Sequence, residues 1–240
     1  MTTDTNKKNT VILTGVKEID EKLGGGIPIG SLGLIEGEAD SGKSVLSQHL
    51  AYGALTSGCD ISVVYFTTEN TAKSLITQMD SLSLTTTDYY LTDKFRIYPL
   101  TLRHTIRGGK KFFKMLTNHL ETLPKQFTLV IYDSITQFVA HTKSVDIIDF
   151  FWACKQVCDS GRSVILVAHH YAFENEILAR TRSVCDAHLR LKLEDLGDRM
   201  VRSMEVLKVR GADRPTGEVV SFEIEPKIGM RIIPLSKAKV

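Results

Sequence analysis

A glycine-rich segment at residues 37–44, Gly-Glu-Ala-Asp-Ser-Gly-Lys-Ser, constrains this chain more than any other feature. An apolar run at 32–36 precedes it and a helical pattern over 43–57 follows it, so the segment joins a predicted strand to a predicted helix. Glycine lets the backbone curl closely around an anion, and successive amides and the helix N-terminus then converge on its oxygen atoms. The spacing GxxxxGK[ST] therefore predicts a phosphate-binding loop.

The loop also predicts which nucleotide atoms each residue contacts. Lys43 supplies a mobile positive charge to the phosphates of ATP, and the Ser44 hydroxyl is an oxygen ligand of the kind that Mg²⁺ prefers. An ordinary glycine turn before a helix is the alternative, but it gives no reason for Lys-Ser at this offset. The predicted phosphate-binding residues are Gly37, Glu38, Ala39, Asp40, Ser41, Gly42, Lys43, Ser44 and Val45.

A second oxygen ligand is predicted at Asp133, which ends the apolar run 127–133. In open α/β sheets ligands bind at the carboxyl ends of the strands, so Ser44 and Asp133 are expected to hold one hydrated Mg²⁺ together. The alternative is that Asp133 only caps the next element.

The rest of the chain predicts an α/β fold with a mostly parallel central sheet flanked by helices. Apolar runs at 32–36, 61–67, 95–98, 127–133 and 163–168 favour buried strands. The helical patterns between them cover 43–57, 71–83, 109–123 and 146–159. In the last of these, Ile147, Phe151, Cys154 and Cys158 share one face. After residue 186 four successive runs, split by Gly or Asp turns, predict antiparallel C-terminal strands at the sheet edge, at 187–192, 201–209, 219–224 and 230–233.

Composition limits the classes of protein that remain. With 240 residues, 42% of them apolar, we expect a flexible tail at 1–10 and a single domain over 11–240. A formal net charge of +2 gives no global field for nucleic acid or membrane. No apolar run spans a bilayer, and the four cysteines lack disulfide or zinc spacing, which favours a cytoplasmic protein. Cys154 and Cys158 are expected to be buried thiols rather than metal ligands.

The segment before the loop resembles a known family. Residues 15–20 (Gly-Val-Lys-Glu-Ile-Asp) and 23–31 (Leu-Gly-Gly-Gly-Ile-Pro-Ile-Gly-Ser) look like the N-terminal segment of KaiC-like members of the RecA superfamily. The resemblance implies a RecA-like core. Residues 205–211 resemble the strand whose basic side chains reach a neighbouring subunit's nucleotide, which makes Lys208 and Arg210 candidates to act in trans. The alternative is two solvated residues protecting an edge strand.

Within this branch, residues 34–37 and 44–46 are most similar to the FlaH family, also called ArlH, of the archaeal swimming motor. The resemblance covers about residues 11–233. It implies a cytoplasmic ATP-binding protein that forms a hexameric ring. It also implies a place at the base of the archaellum, beside a FlaI-type motor ATPase and a FlaJ-type membrane platform, so that contact with the membrane is indirect.

The catalytic residues depart from the KaiC pattern. KaiC-like ATPases carry two acids after the second core strand, and this chain has Thr68 in the first position and Glu69 in the second. A hydroxyl cannot replace a carboxylate as a base, so Glu69 is the remaining catalytic candidate and slow hydrolysis is expected. Glu69 is alternatively a helix cap. His169, at the end of the run 163–168, is a candidate sensor of the γ-phosphate, although a locally satisfied histidine is the commoner case.

Three functions remain open from the sequence. The leading one is a nucleotide-dependent ring with weak hydrolysis or autophosphorylation. The alternative is a RecA- or RadA-type DNA-dependent ATPase, with Arg103, Arg107, Lys110 and Lys111, or Arg180 and Arg182, facing a central hole. The near-neutral charge balance disfavours it. A small-molecule kinase is the third, and no acceptor pocket or arginine-rich lid supports it.

Overall fold

The computed structural model describes residues 11–100, 109–195, 200–217 and 219–233. The predicted tail at 1–10 and the candidate residues Arg103 and Arg107 lie outside this range. Within it, no helix is both long enough and apolar enough to cross a membrane.

Strands and helices alternate through the first two thirds of the described chain, as the sequence pattern predicts. The strands are β1 (Val11–Ile12), β2 (Ile27–Pro28), β3 (Leu32–Gly37), β4 (Ser62–Thr67), β5 (Phe95–Pro99), β6 (Phe127–Asp133), β7 (Ser163–His169), β8 (Ala187–Asp195), β9 (Met200–Val209), β10 (Val219–Glu225) and β11 (Gly229–Ile233). The helices are α1 (Lys17–Lys22), α2 (Lys43–Thr56), α3 (Ala72–Ser81), α4 (Thr87–Leu91), α5 (Gly109–Thr122), α6 (Thr136–Val139), α7 (Ser144–Asp159) and α8 (Asn175–Val184). A short 3₁₀ helix at His170–Ala172 follows β7.

Nine of these strands form one sheet in the order β11-β10-β9-β8-β3-β7-β6-β4-β5. The six strands from β8 to β5 are parallel to their neighbours. Strands β9, β10 and β11 continue the sheet antiparallel beyond β8. The predicted α/β architecture with a C-terminal antiparallel extension is confirmed.

Helices cover both faces of the sheet and create two apolar layers. One layer joins the strands to α2 and α3, through residues such as Leu46, Leu50 and Leu75. The other joins the opposite face to α5 and α7. In α7 the predicted inner face is confirmed, because Ile147, Phe151, Cys154 and Cys158 are all buried. Burial raises the pKa of both thiols, which keeps them protonated and unreactive.

The elements that the sequence pattern misses are short or polar. Strands β1 and β2 contain two residues each, too few to show an alternating pattern. Helices α4 and α6 span five and four residues. Helix α8 is longer, but its sequence Asn-Glu-Ile-Leu-Ala-Arg-Thr-Arg-Ser-Val is mostly polar. It nevertheless carries a residue that is central to the site described below.

A buried histidine in α2 ties the two ends of the described chain together. His49 Nδ1 lies 3.3 Å from the Thr14 carbonyl oxygen, and the Met230 amide donates to Nε2 at 3.0 Å. Nε2 is therefore an acceptor, which requires a neutral ring protonated on Nδ1. Burial lowers the pKa of His49 below its ordinary value of 6.5. A β-carbon at Gly229 would lie only 2.5 Å from Nε2, so this approach also requires glycine.

We predict that His49 makes the fold less stable in mild acid. Because its folded pKa is depressed, its contribution to the unfolding free energy is complete above about pH 6.5 and is lost as the pH falls toward the folded pKa. Urea unfolding of the wild type from pH 8 to pH 5 should show this loss, and His49→Gln should be less stable at pH 8 but show a shallower pH dependence. His141→Gln, at an exposed position, is the matched control. Equal slopes for wild type and His49→Gln would contradict the assignment.

Candidate functional site

The predicted phosphate-binding loop lies between the end of β3 and the start of α2. Two of its residues have left-handed backbone conformations, Asp40 with φ of 57° and Gly42 with φ of 94°. A β-carbon at Gly37 would lie 2.2 Å from the Leu191 carbonyl oxygen, and one at Gly42 would lie 3.1 Å from the Phe222 ring. Close approach of β8 therefore requires glycine at position 37, and the left-handed backbone, together with the nearby Phe222 ring, favours glycine at position 42.

Side-chain donors hold the carbonyl groups of the loop. The Lys43 ammonium and the Ser41 hydroxyl both donate to the Glu38 carbonyl, the latter at 2.9 Å. Arg202, from β9, donates through Nε to the Asp40 carbonyl at 2.9 Å. Burial lowers the pKa of Lys43, and nearby carboxylates oppose that shift. Hydrogen bonds from Lys43 within the loop and from Arg202 of the antiparallel extension therefore stabilise the loop conformation.

Asp133 lies beside the loop with both carboxylate oxygens engaged. Oδ1 accepts a hydrogen bond from Ser44 Oγ at 3.1 Å. Oδ2 accepts from the Tyr65 hydroxyl at 2.6 Å and from Ser47 at 3.4 Å. Burial raises the pKa of Asp133, and the bonds from Tyr65 and Ser44 lower it. Tyr65 therefore fixes one oxygen of the carboxylate and leaves the other facing Ser44.

This donor set has the chemistry of a site for a hard divalent cation. The Ser44 hydroxyl and Asp133 Oδ1 are two oxygen donors within 3.1 Å of each other, next to a loop built for an anion. A cation between them would replace their direct hydrogen bond. The residues present fit Mg²⁺ bound with phosphates.

Glu69 follows β4 at the same edge of the sheet. The Thr67 hydroxyl accepts the amides of Glu69 and Asn70, at 3.3 and 3.1 Å, and forms the turn that leads to α3. The Glu69 carboxylate is exposed, and its charge raises the pKa of Asp133. The alternative that Glu69 caps α3 is wrong, because the N-cap is Thr71, whose side chain accepts the Ser74 amide.

Thr68, which stands where the KaiC-like pattern of the sequence analysis expects an acid, has structural contacts. Its amide donates to the Asp133 carbonyl at 3.0 Å, and its hydroxyl accepts the Ser134 amide at 3.2 Å. Thr68 therefore joins the ends of β4 and β6. It leaves Glu69 as the carboxylate at this turn.

His169 lies next to the loop, paired in register with Gly37. Its amide donates to the Thr136 hydroxyl at 2.9 Å. Its ring Nδ1 is buried and has no hydrogen-bond partner among the described residues. Burial and the charge of Lys43 both lower the pKa of His169, so the ring is neutral near pH 7 with a nitrogen unpaired beside the loop.

Lys208 and Arg210 do not reach their own phosphate loop. Lys208 pairs with His188, whereas Gly37 pairs with Leu191 further along β8. The Lys208 ammonium donates to the Arg182 carbonyl at 2.7 Å. Arg210 donates to the Ser183 carbonyl at 3.3 Å. The alternative of an edge strand is wrong, because β9 lies between β8 and β10.

The sequence analysis missed a buried carboxylate immediately before the loop. Glu36 is completely buried, and Arg182, His188 and Arg190 surround it, with Arg182 Nε and Arg190 Nε at 3.1 and 3.0 Å. Burial alone would raise its pKa, but the close contact with His188 and the hydrogen bonds from the two arginines lower it to about 2. An acid inside a buried apolar strand requires such partners. The glutamate at the end of the apolar run 32–36 was therefore the sequence signal for a buried charge cluster.

Three basic residues of the DNA-binding alternative, Lys110, Arg180 and Arg182, have acidic partners in the structure. Arg182 is engaged with Glu36, and Arg180 forms an exposed ion pair with Glu176 one helical turn away. Lys110 and Lys111 lie at the start of α5. Within the described residues, Arg182 therefore has a structural partner rather than a free position for nucleic acid.

Comparisons with known proteins find relatives that are described as ATPases or ATP-binding proteins. A family model described as ATPase: KaiC matches residues 12–237. Similar curated proteins include the archaeal flagellar ATP-binding protein FlaH of Methanocaldococcus jannaschii, 31% identical over 90% of this chain and 91% of that protein. FlaH of Sulfolobus acidocaldarius is 27% identical over 95% and 99% of the two chains. The crystal structure of the flagellar accessory protein FlaH from Methanocaldococcus jannaschii has a TM-score of 0.80 and 28% identity, covering 94% of this chain and all of that one.

We predict that Glu36→Gln lowers the unfolding free energy by about 3 kcal/mol, because it removes the buried carboxylate that the partly buried Arg182 and Arg190 share. Since the pKa of Glu36 is lowered from 4.5 to about 2, its contribution is present above about pH 4.5 and is lost as the pH falls toward 2. Chemical denaturation between pH 7 and pH 3 measures both effects. Glu176→Gln, in an exposed ion pair of the same helix that carries Arg182, should cost no more than about 1 kcal/mol. Similar losses for the two variants would contradict the role of Glu36.

Proposed function

Because the chain belongs to the FlaH family of KaiC-type ATPases, we propose that it binds ATP with Mg²⁺ and serves as a nucleotide-dependent assembly component of the archaellum motor. The observation that carries this proposal is the contact of 3.1 Å between Ser44 and Asp133 beside a complete phosphate-binding loop. Ser44 and Asp133 hold the metal, which supplies neutralisation of the phosphate charges. The loop residues from Gly37 to Val45, with Lys43, hold the phosphates.

The chemistry at this site is proposed to be slow. Glu69 is the candidate to orient or deprotonate water, and Thr68 contributes no second carboxylate. The Glu69 side chain is exposed, so water competes freely and the base is not desolvated. Weak hydrolysis, or transfer to a hydroxyl of the protein, then serves to reset the nucleotide state.

His169 is the proposed link between the nucleotide and the rest of the sheet. Its unpaired, buried Nδ1 and its pairing with Gly37 place a neutral imidazole beside the loop. A γ-phosphate oxygen would give this nitrogen a partner if the proton is on Nδ1. ATP and ADP then differ in one contact that the protein can detect.

We place the protein in a hexameric ring that works with a FlaI-type motor ATPase and a FlaJ-type membrane platform, in the cytoplasm at the membrane face. Lys208 and Arg210 act in trans in this proposal. Support comes from their position: they lie away from their own phosphate loop, on consecutive carbonyls at the end of α8. The printed name of the relatives, an archaeal flagellar ATP-binding protein, supports the setting.

Substitutions of Lys43 and Glu69 separate binding from chemistry. Lys43→Ala should weaken ATP binding about tenfold to a hundredfold, because it removes a charge-assisted contact. Glu69→Ala should leave binding unchanged and lower single-turnover hydrolysis by about 10²- to 10⁴-fold. Calorimetry with Mg-ATP and phosphate release measure the two effects, with exposed Lys17→Ala as the control. Unchanged ATP affinity in Lys43→Ala would overturn the proposed function.

Mixing variants tests action in trans. Rings of Lys208→Ala/Arg210→Ala alone should not hydrolyse, because no subunit supplies the cations. Adding Lys43→Ala subunits, which keep Lys208 and Arg210, should restore part of the single-turnover hydrolysis by the double variant. Lys227→Ala/Arg214→Ala, at two exposed positions, should behave as wild type. A double variant that stays inactive in the mixture, although it melts at the wild-type temperature and co-assembles, would exclude action in trans.

A further inference from the structure

A basic groove, separate from the phosphate loop, lies where α5 and α7 begin. It has a volume of about 660 Å³. The residues that define it here are Lys110, Lys111, Lys114, His141, Lys143 and Val145. Nothing in the proposed ATP chemistry uses these side chains.

The positive charge of the groove is poorly balanced within the protein. Asp146 is the carboxylate among the lining residues, and it is already paired with Lys110 at 2.9 Å. None of the ion pairs among the described residues involves Lys111, Lys114 or Lys143. Asp149, one turn further along α7, is the next carboxylate, and its charge also acts on Lys110. Lys111, Lys114 and Lys143 are therefore left without an ion-pair partner among the described residues.

The lysines also occupy positions that do not favour their own helices. Lys110 and Lys111 lie in the first turn of α5, where no acidic residue is present and the helix dipole disfavours cations. Lys143 is the N-cap of α7 and makes no capping hydrogen bond. Lys110 is compensated by its ion pair with Asp146, whereas Lys111 and Lys143 have no such pair among the described residues. Residues that break a local rule without a structural gain indicate a role outside the fold.

Two exposed apolar side chains extend from the groove along α7. Val145 lines the groove and is 59% exposed, and Trp152 is 54% exposed. Trp152 follows Val145 by seven positions, so the two lie on one face of the helix about 10 Å apart, with the exposed Asp149 between them. A nucleic acid would gain from Phe, Tyr or Trp side chains on which its bases could stack, and the groove lining has none of these three. A flat membrane would not enter a concave groove.

We propose that this groove binds an acidic, partly apolar segment of a protein partner. Carboxylates of the segment pair with Lys111, Lys114 and Lys143. Its apolar side chains cover Val145 and Trp152. Binding depends on charge complementarity and is therefore weakened by salt.

The direct test uses a fluorescein-labelled peptide of repeated Glu-Leu-Glu-Glu units, with its lysine counterpart as the control probe. Wild-type protein should bind the acidic peptide and not the basic one. Lys111→Glu/Lys114→Glu/Lys143→Glu should bind it at least about tenfold more weakly. Lys17→Glu/Lys125→Glu/Lys227→Glu, an equal charge change at exposed positions, should bind like wild type. Equal binding by the groove variant would overturn the proposal.

Two further measurements identify the class of partner. Val145→Ser/Trp152→Ser should weaken peptide binding severalfold, and unchanged affinity would overturn the apolar part of the proposal. Labelled oligo-dT or phosphatidylglycerol vesicles that bind more tightly than the peptide, and lose binding in the groove variant, would assign the groove to phosphates and overturn the acidic segment. Mg-ATP affinity should be the same in all variants, so failure at the groove leaves the proposed nucleotide function intact.

Discussion

The parallel pairing of β4, β6, β7 and β3 is the constraint on which the site depends. Parallel strands finish at one edge of a sheet. The register therefore aligns Thr67 with Asp133, Asp133 with Val167, and Gly37 with His169. Gly37 and His169, which are 132 positions apart in the chain, become neighbours through this strand pairing. A register slip of one residue would turn the Asp133 side chain to the opposite face.

The antiparallel extension supports this edge from the other side. Arg202 of β9 donates to a loop carbonyl, and Phe222 of β10 packs against Gly42. Arg190 binds Glu36 and also Glu205 of β9, so a chain of charges joins the strand before the loop to the extension. Arg182 of α8 also binds Glu36, and Lys208 of β9 donates a hydrogen bond to the Arg182 carbonyl. Side-chain hydrogen bonds and ion pairs therefore connect the loop, the extension and α8.

The sequence predicts what is local and leaves out what is distant. Strand β6 was predicted with both ends correct, and α2 within one residue, because continuous apolar runs and helical periodicity are local properties. The loop and its glycines follow from eight adjacent residues. The Arg182–Glu36 pair joins residues 146 positions apart, and the Tyr65–Asp133 bond joins residues 68 apart. No spacing rule encodes these partners, since they depend on strand order. Helix α8 was missed for its polarity, and the partner of Glu36 was missed with it.

The contact between Lys43 and the Glu38 carbonyl has a consequence for exchange of the ligand. A buried cation left without a partner is costly, and a loop that kept its lysine bare would hold any anion until another replaced it. Here the ammonium has a partner within the protein, the Glu38 carbonyl. If ATP binds at this loop as proposed, the same carbonyl can accept the ammonium again when the nucleotide leaves. The loop itself would then offset part of the cost of nucleotide release.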